Sequence, residues 1–85
     1  DTPERLATAI VSFVQRLRAG QLTKVPGVAE TIDWAAALLA LGAGRLTAEL
    51  VDDTLGVVLK YEEDVQAIRG ATAAAYLEES AAGAA

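Results

Sequence analysis

The stretch "TPERLATAIVSFVQRLRAG", residues 2–20, decides the fold class. Leu6, Ile10, Phe13 and Leu17 recur at 4-3-4 spacing and Val14 widens the line, which is the apolar stripe of a surface helix and not the alternation of a strand. Arg5, Ser12, Gln15 and Arg18 lie largely away from that stripe. Thr2, Pro3 and Glu4 read as an N-cap, a proline at the first helical position and an acid in the electropositive first turn. Arg16 and Arg18 suit the negative far end, with Gly20 expected as a left-handed stop. The first helix is therefore expected over about 3–19.

Working outward, "GQLTKVPG" is a loop, because Pro26 disfavours helix at Val25 and Pro-Gly marks a turn. A second helix is expected over about 29–41, ended by Gly42. After the short "GAG" loop, Thr47 caps a third over about 47–59, carrying Leu50, Val51 and Leu55 and introduced by Leu46. Gly56 weakens it, since glycine inside a helix costs about 1 kcal/mol relative to alanine; "GVVLKY" is a candidate separate turn. Lys60 and Tyr61, with "EED" behind them, form a helix start. A fourth helix is expected over about 62–79 with Val65, Ile68, Ala75 and Tyr76 on one face, weakened at Gly70. Residues 81–85 have no long apolar side chain to dock and are expected to fray. No strand alternation and no internal repeat is present, so the reading is all-α: a small four-helix bundle, residues 1–80.

Composition bounds the function. The chain has 85 residues and a formal charge of −5, with alanine supplying much of its 53% apolar content and only four Phe, Trp and Tyr residues. The core is accordingly thin, and leaves open that the chain leans on another domain. An acidic chain lacks the clustered cations that neutralise phosphates, so nucleic-acid binding is disfavoured. Cysteine and histidine are both absent, which removes the disulfide frame, the common thiol nucleophile and the commonest general base, and would leave a zinc site to manage without its usual donors. The opening "DTPERLATAIVSF" lacks the basic region before an apolar run that a signal peptide needs, and no apolar run is long enough for a bilayer, so a cytoplasmic protein without a membrane partner is expected. The acids at Asp52-Asp53 and Glu62-Glu63-Asp64 are adjacent, point about 100° apart on a helix and read as solvated faces with no metal site. No GxxxxGK[ST] phosphate loop occurs. An independent enzyme is not expected, and no catalytic residue is assigned.

Three segments carry a family resemblance: "SFVQRLRAGQLTKVPGVAETIDWAAALLALG", then "LTAELVDDTLGVVLKYEEDV", and the loop joining them. Together, over about residues 12–65, they resemble the C-terminal lid domain of an AAA+ ATPase of the MoxR family, in the CoxD-like branch. The resemblance implies an upstream α/β domain of the same chain that holds ATP and Mg²⁺, while the lid alone binds no cofactor. It also implies contact with neighbouring subunits of a ring, chaperone-like remodelling or maturation of a partner, often together with a von Willebrand factor A protein, and, for the CoxD-like branch, a link to a molybdenum–copper dehydrogenase. The start of the chain at a helix cap, "DTPERL", is what a domain boundary would give.

In related lids the second helix opens with a Ser-Pro-Arg-like segment whose arginine senses phosphate. That segment falls on Val28, Ala29 and Glu30, or puts Thr31 at the arginine position in a register shifted by one; a carboxylate repels phosphate, so the sensing role is not carried onto Glu30. One reading lets Lys24, Pro26, Gly27, Glu30 and Thr31 line the interdomain cleft, with free N–H groups at the helix start facing the nucleotide. The other has Glu30 or Thr31 cap the helix with Lys24 in solvent, and the two are compatible. Trp34 is read as a core residue or as a residue of the seam with the ATPase domain. Arg16 and Arg18 are read as helix-end cations, with contact to a neighbouring subunit as the lesser alternative. The rival to a lid is a stand-alone helical module that takes a partner helix into a groove.

Overall fold

A computed structural model describes the backbone of residues 3–84 and the side chains of residues 4–79. The described residues are all helical or loop, with helices α1 (Pro3–Ala19), α2 (Val28–Ala40), α3 (Ala48–Val58), α4 (Glu62–Ile68) and α5 (Ala71–Ala84). The expected cap at Thr2 and the last residue, Ala85, lie outside the described residues.

The α1 stripe is buried as its spacing requires: Leu6, Ile10, Phe13, Val14 and Leu17 all enter the core. They meet Trp34 and Leu38 of α2, Val51, Leu55 and Val58 of α3, Val65 and Ile68 of α4, and Ala73 of α5. Helix α1 packs chiefly on α5 and α2 chiefly on α3, with α4 bridging α3 and α5. Phe13 joins the two halves. Its ring lies 5.5 Å from Trp34 and 6.4 Å from Tyr76, both in the tilted arrangements that ring quadrupoles favour. The Arg16 guanidinium sits 4.0 Å over the Tyr76 ring and pairs with Glu79, fastening α5 to α1.

Several expectations are corrected. The fourth helix is two helices, so the bundle has five: Gly70 adopts φ +84°, which an α-helix cannot continue through. Asp52 of α3 accepts the Gly70 N–H at 3.1 Å, so the break is held from outside as well. The break also rotates the face of the last helix. Ala73 is buried and Ala75, expected inside, is exposed. Gly20 is not left-handed; the left-handed stop belongs to Gly42, at φ +75°. There the Gly42 N–H reaches Leu39 O and the Ala43 N–H reaches Leu38 O, the paired bonds of a Schellman end. Helix α3 runs through Gly56 to Val58, so "GVVLKY" is not a separate turn. Thr47 caps α3 as expected, its hydroxyl accepting the Leu50 N–H at 3.2 Å. Helix α5 continues to Ala84, past the expected end at 79 and through residues 81–84 of the expected frayed tail.

Candidate functional site: the start of α2 and its outer face

The loop before α2 is held at three points. Pro26 is fully buried. The Glu30 carboxylate reaches back to accept the Gly27 N–H at 2.8 Å, and the Thr31 hydroxyl donates to Gly27 O at 2.7 Å. This is the Glu half of a capping box, with glycine as the N-cap. Glycine also fits sterically, because a Cβ there would stand 3.0 Å from Glu30 Oε1. The Gly27 N–H, foremost among the influences, holds the Glu30 carboxyl below the usual carboxylate range, helped by its own backbone N–H and by Lys24 and Lys60 nearby.

The third point comes from α4. Asp64, only 3% exposed, accepts the Thr23 N–H at 2.8 Å and the Lys24 N–H at 3.1 Å, one on each carboxylate oxygen. Burial is the largest single influence on this carboxyl and pushes it up. The two backbone N–H groups and the Thr23 hydroxyl together outweigh that and hold it below its ordinary value. Asp64 is thus a loop clamp and not the solvated acid its neighbours suggested. Asp52, read the same way, is the acceptor that fixes the α4–α5 break. Nothing in the local spacing marks either residue, since their partners lie about forty and eighteen positions away.

The candidate cleft residues therefore do converge on one end of α2. Glu30 and Thr31 are spent on capping, Gly27 and Pro26 shape the turn, and Lys24 is exposed. Trp34 is elsewhere. It is fully enclosed within the chain, its indole N–H donating to the Thr54 hydroxyl at 2.7 Å, and that hydroxyl donates to Leu50 O at 2.6 Å. No part of Trp34 is left for a seam with another domain.

What α2 does present outward is a second apolar line. Val28 is 73% exposed, Ile32 62% and Leu39 61%, and at 100° per residue they fall within about 40° of one another, with Glu30 on the opposite side of the helix. The charges, Glu30 and Asp33, point to other sides. Beside this line, Val11, Val14, Gln15 and Arg18 of α1 face Val28 and Ile32 across an open groove of about 180 Å³. That is below the few hundred Å³ of a small-molecule pocket, so its dimensions suit a ridge of side chains and not an enclosed nucleotide. A helix apolar on two sides is a sequence-level signal; the spacing of Val28, Ile32 and Leu39 carries it. Among the described residues no three of His, Cys, Asp and Glu are grouped to hold a metal, and no helix is long and apolar enough to cross a membrane. No protein-family model, no curated protein and no solved structure matches the chain.

Proposed function

We propose that the chain is a docking domain that performs no reaction of its own: the lid of a MoxR-like AAA+ ATPase of the CoxD-like branch. The observation that carries this reading is the outer apolar line Val28–Ile32–Leu39, which finds no cover within the chain and stands among its most exposed large apolar side chains. In this reading the Lys24–Thr31 segment and the α2 line abut the upstream ATPase domain, which holds ATP and Mg²⁺. The rigid five-helix body then tilts with the phosphate state and changes the packing of neighbouring ring subunits, a hinge motion. Glu30, engaged with Gly27, leaves phosphate sensing to other groups, and the exposed Lys24 is a cation at this end of α2. Remodelling or maturation of a client, with a von Willebrand factor A protein alongside, belongs to the whole ATPase in the cytoplasm.

The test has two arms. The parent gene should encode a GxxxxGK[ST] loop roughly 150–250 residues upstream, the size of an ordinary α/β domain. Amide chemical shifts of residues 24, 25, 27–32 and 39 should move when the upstream domain and ATP are added together, and barely with ATP alone. A gene with no such loop overturns the reading. The groove between α1 and α2 favours the alternative, a stand-alone helical module that docks a partner helix. In that case the shifts would respond to a partner with no nucleotide present.

A further inference from the structure

Helix α1 has an outward face that the core does not use. Glu4, Val11 and Arg18 recur every seven residues with Thr8 and Gln15 between them, and all five are exposed. Seven residues are nearly two turns, so the line drifts only about 20° per step. The acid stands about 10 Å before Val11 and the base about 10 Å after it. Neither Glu4 nor Arg18 has a side-chain ion pair or hydrogen bond among the described residues. The Val11–Arg18 half also forms one wall of the groove whose other wall is Val28 and Ile32.

This pattern complements itself. We infer that the α1 face binds a second copy of the chain, as a twofold dimer with α1 antiparallel to its mate and Val11 on the axis. A twofold at Val11 sets Glu4 of each copy against Arg18 of the other, so one juxtaposition forms two ion pairs. It also lays the first half of α1, narrow at Ala7 and Thr8, along the groove of its mate. An unrelated helix would need no acid and base equally spaced about one apolar residue. The inference does not rest on the ATPase reading: the mate occupies the Val28–Ile32 groove, so the pairing belongs to the chain without an ATPase domain against that groove and leaves only the Leu39 end of α2 open.

Sedimentation equilibrium of the 85-residue chain tests it. A monomer–dimer equilibrium is expected, weakening as salt rises because the pairs are at the surface. Glu4→Arg and Arg18→Glu should each raise the dissociation constant roughly ten-fold, since each turns two attractions into repulsions. The double variant Glu4→Arg/Arg18→Glu should restore it to within about three-fold of the parent, and Val11→Asp should abolish the dimer. Far-UV circular dichroism verifies that each variant keeps its helices. A chain that stays monomeric up to about 1 mM, or a dimer indifferent to the charge reversals, overturns the proposal.

Discussion

Thr54 shows how one hydroxyl sets the interior. It accepts from Trp34 Nε1 and donates to Leu50 O, so the largest side chain in the core has its single polar atom satisfied. Thr54→Val keeps the shape but strands the indole N–H in an apolar interior, and should cost about 1–3 kcal/mol in urea unfolding. The two low-lying carboxyls act at the same scale. Glu30 and Asp64 are both held below their ordinary values by N–H donors, so the unfolded chain binds protons more readily than the folded one. Their stabilisation is complete above the ordinary carboxylate range and is lost as pH falls through that range and below it. A thermal midpoint measured from pH 7 downward should therefore drop on acidification. Asp64→Asn should flatten part of that drop and lower the midpoint at pH 7, because an amide offers one acceptor where two N–H groups need two.

At the scale of elements, the two glycines inside the expected third and fourth helices have opposite characters. A Cβ at Gly56 would meet nothing within 4 Å and the helix there is regular, so Gly56→Ala should stabilise by about 0.5–1 kcal/mol in urea unfolding. Gly70 sits at φ +84°, so Gly70→Ala should destabilise by about 1–2 kcal/mol despite equally open space. In the one-dimensional pattern these glycines look alike, and both read as weak points. What separates them is Asp52, which meets Gly70 from another helix. The span and buried stripe of helix α1 were legible because its inward positions are large apolar residues at regular spacing, whereas its expected left-handed stop at Gly20 was not borne out. Helix α5 was not, because an alanine-rich run leaves the choice between Ala73 and Ala75 to the break before it. The clustering of Lys24, Pro26, Gly27, Glu30 and Thr31 at one helix start could be read from their adjacency, whereas the Asp64 clamp depends on a contact across forty residues.

For the whole molecule, the division between covered and uncovered apolar surface separates the core from the outer line of α2. Charged substitutions on the outer line, Ile32→Lys and Leu39→Lys, should leave unfolding free energy within about 0.5 kcal/mol, since neither side chain fills the core. The same changes should lower binding of a hydrophobic dye and, under the proposed lid reading, abolish association with an ATPase domain. An equivalent change at Leu38, one position from Leu39 but fully buried, should unfold the chain. Neighbouring positions on one helix thus separate the core from the exposed apolar line, and urea titration beside dye fluorescence reads both.

The enclosed indole has an optical consequence. With one tryptophan in the chain, every photon excited at the red edge of protein absorption comes from a single dry site beneath α1 and α3. Its emission should be blue-shifted and poorly quenched by iodide, and any motion that prises α2 from α3 would redden it without a dye or label.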